Sequence, residues 1–354
     1  MSGLKATYTD TTVTLSWNKV SGATGYIVYR YDATTQKYVD VGRTAYNTFL
    51  ANGLAKGMTQ KFAVRAYKTV GGQTYSSNYV YLTTSTVPAT VSYTLTSTTN
   101  SVKVNWTKVA GATGYLVYYR TNTGESWTKL ADSTGTTYTK TGLTPGKSYI
   151  FTVKAYRKVD GVIYNAAHSP KTVSTLPATV SYTLTSTANS VKVTWTKVTG
   201  ATGYLVYYRT NTSESWTKLA DSTGTTYTKT GLTPGKSYIF TVKAYRKVDG
   251  VTYNAAHSPK TVSTCPATVN YTLTTSGGSV KVAWTKVAGA TGYLVYYRTN
   301  TSESWTKLTD STGTSFTKTG LTKGKSYIFT VKAYRKVDGV TYNAAHSPKT
   351  ITVK

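Results

Sequence analysis

Apolar and polar side chains alternate over short runs along the whole chain, the two-residue period of a pleated strand with one dry face and one wet face. In SVKVNWTKV, residues 101–109, Val102, Val104 and Trp106 share one parity and Lys103, Asn105 and Thr107 the other. In GYLVYYR, residues 114–120, Tyr115, Val117 and Tyr119 oppose Leu116, Tyr118 and Arg120. In SYIFTVKAY, residues 148–156, Tyr149, Phe151, Val153 and Ala155 oppose Ile150, Thr152, Lys154 and Tyr156. Asp160-Gly161 predicts a tight hairpin of type I′, in which both central residues take positive φ. No run carries the 3.6-residue period of a helix. Short alternating runs separated by turn residues predict an all-β sandwich.

The pattern repeats. Trp17, Trp106, Trp195 and Trp284 are spaced by 89 residues, as are Pro88, Pro177 and Pro266. The frame divides the chain into 1–87, 88–176, 177–265 and 266–354, and the second and third repeats differ at six positions. A period of this length exceeds that of solenoid repeats, so each unit is expected to own a core and fold alone. The first unit keeps the frame but little of the wording.

Three features together resemble the fibronectin type III module: a Trp on the second strand, a Tyr-rich third strand, and Leu-x-Pro-Gly-x-x-Tyr opening the sixth. The phrases KVAGATGYLVYYR and KVSGATGYIVYR are similar to type III repeats on surface and secreted proteins of Gram-positive bacteria. The resemblance implies four tandem seven-stranded immunoglobulin-like sandwiches. It also implies a tyrosine corner at Tyr149, Tyr238 and Tyr327, whose hydroxyls would bond backbone upstream. The first unit has Gln60 at that position, so its corner is expected to be absent or replaced and that module to be the least stable. In the fourth unit Lys323 stands where the Pro should be, a milder loss of turn preorganisation. The hairpin that carries Arg-Gly-Asp in some family members reads RKVDGV here, so integrin binding does not carry over.

The junctions, TVSTLPATVSY and TVSTCPATVNY, hold no Gly/Ser tract, and Pro177 and Pro266 restrict their neighbours. Semi-rigid stacking is expected. Strands of about 26 Å placed end to end predict an extended rod on the order of 120 Å. Cys265 takes a slot held elsewhere by Val87 and Leu176 and is expected to be a packed small residue rather than a reactive thiol.

Composition excludes several classes. No segment approaches the roughly 18 apolar residues of a membrane helix, so no membrane insertion is expected. The start, MSGLKATYTD, lacks the apolar core of a secretory signal, and the chain reads as a piece of a longer one. The three histidines, His168, His257 and His346, fall one to a repeat, roughly 30 Å apart in a rod, whereas zinc ligands lie about 2 Å from one ion. Acids are equally sparse and scattered. No catalytic, metal or cofactor site is therefore expected.

The net charge of +29 is spread as +6, +7, +7 and +9 over the four units. A nucleic-acid reader concentrates its charge on one element, so the distribution argues against specific nucleic-acid binding. It fits attraction to polyanions such as wall polymers or sulfated glycans.

Strand parity supplies a candidate surface. The outward face of the third and sixth strands carries Leu116, Tyr118, Arg120, Ile150, Lys154 and Tyr156, with Trp127 on the neighbouring strand. It recurs at Leu205, Tyr207, Trp216, Ile239, Lys243 and Tyr245, and at Leu294, Tyr296, Trp305, Ile328, Lys332 and Tyr334. Tyr, Trp and Arg on a wet face mark binding surfaces, and repetition converts weak sites into avid ones. The sequence thus points first to a non-enzymatic extracellular or cell-wall rod, a multivalent adhesion or spacer segment. Its partner would be a protein or a polyanionic glycan. Two other classes fit the same residues: a secreted ligand for a host receptor, and accessory modules of a larger polysaccharide- or wall-degrading enzyme.

Overall fold

The computed structural model describes residues 1–354, which form strands, turns and loops without a helix. No helix is long and apolar enough to cross a membrane. By its internal contacts the chain divides into two units, Met1–Thr175 and Leu176–Lys354. Each holds two pairs of antiparallel sheets, one sheet of three strands and one of five in every pair.

The second pair shows the plan. Its smaller sheet has Val102–Trp106 between Tyr93–Ser97 and Thr137–Lys140. In the larger one Thr128–Ser133, Gly114–Arg120 and Ser148–Val159 lie side by side, and two segments, Val162–Asn165 and Lys171–Ser174, both pair with Ser148–Val159. The seventh strand is thus broken in two. The break spans 166–170, where Pro170 has no N–H to give the ladder.

Inward residues of both sheets form the core. In the third pair, Val191, Val193 and Trp195 of one sheet cluster with Tyr204, Val206, Phe240 and Val242 of the other. The same positions of the second pair, from Val104 to Phe151, are fully buried. Each such side chain contributes about 1.5–3 kcal/mol on leaving water. The expected alternation is observed in the three quoted runs except at half-buried Tyr119 and at Thr152, which is buried despite its outward parity, and Asp160 and Gly161 take φ of 47° and 83°.

A tyrosine hydroxyl ties the sheets together at the broken strand. Tyr93 Oη lies 2.6 Å from the Ser169 carbonyl oxygen and 2.9 Å from that of Phe151, and burial pushes its pKa up to about 12. Lys171 Nζ donates to the Tyr93 carbonyl at 2.6 Å and sits 4.7 Å over the ring. Tyr182 with Lys260, and Tyr271 with Lys349, repeat the arrangement. Leu4 occupies this position in the first repeat, which has no such tie.

The tyrosine corners form as the resemblance implies. The Thr144 N–H donates to Tyr149 Oη at 2.9 Å, and Thr233 to Tyr238 at 2.9 Å. In the fourth repeat, with Lys323 in place of Pro, the Thr322 to Tyr327 bond lengthens to 3.2 Å. In the first, half-buried Gln60 replaces the Tyr and the corner is lost; the turn keeps only the Thr86 bonds to the Ala55 carbonyl at 2.7 Å and from the Met58 N–H at 3.0 Å, which Thr175 and Thr264 also make beside their tyrosine corners.

Within each unit the two sheet pairs are fastened. In the first unit Arg157 donates to the Gly111 carbonyl at 2.8 Å and to Thr59 Oγ1 at 2.7 Å, while the Tyr164 and Tyr8 rings meet at 4.6 Å. Gly111, at φ 75°, lies so close to Gly57 that a Cβ would fall 2.1 Å from the Gly57 oxygen. In the second unit Arg335 donates to Gly289, and Gly289 abuts Gly235 in the same way. Cys265 is half-buried, its Sγ 3.6 Å from the Ser186 carbonyl oxygen.

Replacing Tyr149 by Phe removes the acceptor of the Thr144 N–H and should cost about 1–3 kcal/mol. Thermal unfolding and faster exchange of the Thr144 amide in Tyr149→Phe check this, and an unchanged exchange rate would contradict the corner's role.

Candidate binding site

The candidate face is built on the pairing of Gly114–Arg120 with Ser148–Val159, which sets Leu116 opposite Lys154, Tyr118 opposite Thr152 and Arg120 opposite Ile150. A bulge at Val117/Tyr118 shifts the neighbouring strand, and Trp127 stands just ahead of that strand. Arg120 holds Trp127 in place: its guanidinium carbon lies 4.3 Å over the indole, and Nη1 donates to the Thr123 and Glu125 carbonyls at 2.9 and 3.3 Å. The Glu125 carboxylate accepts first the Thr121 hydroxyl, then the Thr121 N–H and the Asn122 amide, closing the turn from the other side. These bonds hold the Glu125 carboxyl below the usual carboxylate range.

From the opposite edge the broken strand delivers His168. Tyr93 and Lys171 pin the chain just after it and the Ala166 N–H bonds the Ala155 carbonyl just before it, and the His168 Nδ1 lies 3.3 Å from Thr152 Oγ1. Its ring meets that of Trp127 edge-on at 5.9 Å. Tyr118, Trp127, Thr152, Lys154 and His168 line a shallow pocket of about 100 Å³. Tyr207, Trp216, Thr241, Lys243 and His257 line one of about 110 Å³ in the third repeat. In the fourth, the His346 ring turns to stack on Trp305 at 5.7 Å and 17°, with Tyr296 6.2 Å away.

The candidate residues therefore fall into three groups. Tyr118, Trp127 and Lys154 converge on the pocket, as do Tyr207, Trp216 and Lys243. Arg120 is a brace behind the indole rather than a free cation. Leu116 and Ile150 are half-buried beside the pocket, and Tyr156 lies apart from its lining as a strut. The Tyr156 hydroxyl donates to Asp132 Oδ1 at 2.8 Å and its ring crosses Gly114, where a Cβ would fall 2.4 Å from the hydroxyl. Tyr245 and Tyr334 make the same bond to Asp221 and Asp310. This bond, more than that from Lys129, holds the Asp132 carboxyl down.

Sequence reasoning missed Thr152 and His168 as part of the site. Thr152 shares the outward parity of Ile150 and Lys154, but it is buried on that face, where the His168 ring lies against it. His168 sits in AAHSP, within the break at 166–170, and no local pattern joins it to the face. What converges is two aromatic rings, an imidazole, a hydroxyl and an ammonium group, a set suited to stacking on a flat ligand and hydrogen-bonding its rim. No cluster of three or more His, Cys, Asp or Glu side chains that could hold a metal occurs.

The family model for the fibronectin type III domain matches residues 86–165, 176–259 and 265–347. The chain belongs to the fibronectin type III family. Its tandem modules resemble those of Gram-positive bacterial proteins: the chain is 31% identical to Exoglucanase B of Cellulomonas fimi over 85% of its own length and 28% of that protein. Against Chitinase A1 of Niallia circulans the identity is 38% over 58% of this chain and 28% of that protein. It spans about a third or less of these relatives. A two-domain type III segment of chicken tenascin aligns with 49% of the chain at 20% identity and a TM-score of 0.34.

Burial, then the charges of Lys154 and Arg120, lower the His168 pKa below its ordinary value, and burial with Lys332 and Arg298 does the same to His346. A lowered imidazole pKa means the folded chain resists protonation. This stabilisation is complete above about pH 6.5 and is lost as pH falls through the lower folded value. The unfolding temperature should therefore decline between about pH 7 and about pH 5, and the decline should shrink in His168→Gln/His346→Gln. An equal decline in both proteins would refute the assignment.

Proposed function

We propose that the chain is a non-catalytic extracellular segment of a larger bacterial protein, and that its repeated pockets give that protein weak, multivalent contacts with polysaccharide. The observation that carries this reading is the recurrence of one set of side chains, Tyr118, Trp127, Thr152, Lys154 and His168, at the same positions one period later, with the same brace behind the indole. Within each of the two repeats the set converges on one pocket from four separate segments, which the sandwich core does not require. The relatives named exoglucanase and chitinase favour a polysaccharide over a protein partner, and they support the accessory-module reading above a free-standing spacer.

Pockets of about 100 Å³ admit one flat ring face, not a buried ligand. One such contact is weak alone. Several on one chain act together, because binding the first raises the effective concentration at the others. A second reading, adhesion to an anionic wall polymer, draws on the net charge of +29 and differs in its salt dependence. The first three of the four modules are proposed to end at 87, 176 and 265, one before each period-marking proline, and the fourth at 354.

Retention of the chain on insoluble cellulose and chitin tests the proposal. Tyr118→Ser/Tyr207→Ser/Tyr296→Ser should keep the β-sheet circular dichroism and bind at least about tenfold more weakly, a loss of only about 0.5 kcal/mol per site. Equal retention of the variant would dispose of the pockets as the contact. Retention that disappears on raising salt from about 0.05 to about 0.5 M would favour the wall-polymer reading.

A further inference from the structure

The first repeat carries a different surface where the others have the pocket. One period ahead of Tyr118, Arg120, Trp127, His168 and Pro170 stand Tyr29, Tyr31, Tyr38, Tyr79 and Tyr81. The rings form one continuous ladder, Tyr29 to Tyr79 at 5.3 Å, Tyr79 to Tyr81 at 6.0 Å, Tyr81 to Tyr38 at 5.4 Å and Tyr38 to Tyr31 at 5.4 Å. Ala63, fully buried between its partners Tyr29 and Tyr81, leaves the room in which they converge. Tyr38 and Tyr81 belong to the two strands flanking this pair, so their rings reach across it and meet above the sheet.

We infer that this tyrosine ridge is a second binding site, for the pyranose rings of a neutral linear polysaccharide; the inference rests on the polysaccharide reading above. Three observations favour that occupant. The rings lie open on the sheet rather than in a cup, so a polymer can cross them without an end having to enter a pocket. Its cations are spent on the rings: Arg65 lies 5.3 Å over Tyr29 and 5.0 Å over Tyr79 and donates to the Tyr29 hydroxyl at 2.7 Å, and Lys61 lies 5.5 Å over Tyr31. The nearby Asp40 carboxylate is 3.6 Å from Arg43. What remains on offer is aromatic faces rimmed by neutral hydroxyls, with Tyr79 and Tyr81 exposed at 38% and 60%. The C–H face of a sugar ring stacks on such a surface while its hydroxyls bond the rim.

The test is retention of the full chain on insoluble cellulose, chitin and carboxymethylated cellulose. Tyr79→Ala/Tyr81→Ala removes two exposed rings and should weaken retention on cellulose or chitin about tenfold, equally at about 0.05 and about 0.5 M salt. Tyr75→Ala, also exposed but outside the ladder, controls for surface change and should leave retention intact. If Tyr79→Ala/Tyr81→Ala binds as the unaltered chain does while the triple pocket variant loses binding, the ridge is not a site and the pocket reading stands. Should the unaltered chain be retained on neither neutral polymer, both readings fall. A loss confined to the carboxymethylated polymer and erased by salt would overturn the neutral occupant.

Discussion

A pleated strand can show the interior only one of its two faces, and in this chain that constraint sets everything else. The sandwich needs Val104, Trp106, Val117, Phe151 and Val153 inside, since their burial is the main stabilising contribution. With those fixed, Tyr118, Thr152 and Lys154 have no choice but to face outward, and antiparallel register puts Tyr118 and Thr152 on one rung. A one-residue slip would exchange the two sets and cost the core, so the outer face is as firmly specified as the inner one. The pocket floor therefore follows from the core.

Its walls follow from where the ladder stops. The last strand breaks in every repeat, in the first at 77–79 where Tyr81 stands in place of Pro170, and the freed segment needs partners for its carbonyls. Tyr93 meets that need from the opposite sheet, through a hydroxyl whose pKa burial raises to about 12 and which therefore stays protonated. His168 is the residue beside this tie. On the other edge Arg120 binds the carbonyls of the 121–125 turn and backs the indole of Trp127. Both walls are thus held by polar groups that answer a backbone requirement.

This distinction explains what the sequence made legible. Alternation within GYLVYYR and SYIFTVKAY was enough to sort core from surface, the period placed the repeats, and Leu-x-Pro-Gly-x-x-Tyr located the corners, because each is a local rule. The seven-strand count missed the break at 166–170, which recurs without a proline at 77–79 of the first repeat and so follows from no local signal. Tyr156 was read as part of the binding face on parity alone, but its neighbour Gly114 is the one position on the opposing strand without a side chain, and the ring falls into that space to reach Asp132. Trp127 and His168 lie on segments 41 residues apart, and no local pattern joins them. The tyrosines of the first repeat were hidden differently, since that repeat shares the frame with the others but little of the wording.

Near-identity among three repeats and divergence of the first have a common physical sense. Valency helps only if the sites hold a fixed relation, because a loose tether dilutes the second encounter. Within Met1–Thr175, Arg157 bridges Gly111 and Thr59, and the Gly57–Gly111 contact tolerates no side chain. Within Leu176–Lys354, Arg335 and the Gly235–Gly289 contact play the same part. Each unit thus carries its two surfaces on a braced support: the Tyr118–His168 pocket and the tyrosine ridge in the first, the Tyr207–His257 pocket and the stacked Trp305–His346 in the second. A braced pair loses less conformational entropy on binding a polymer than two sites on a flexible chain, so each surface can stay shallow and exchange quickly while the whole chain holds on.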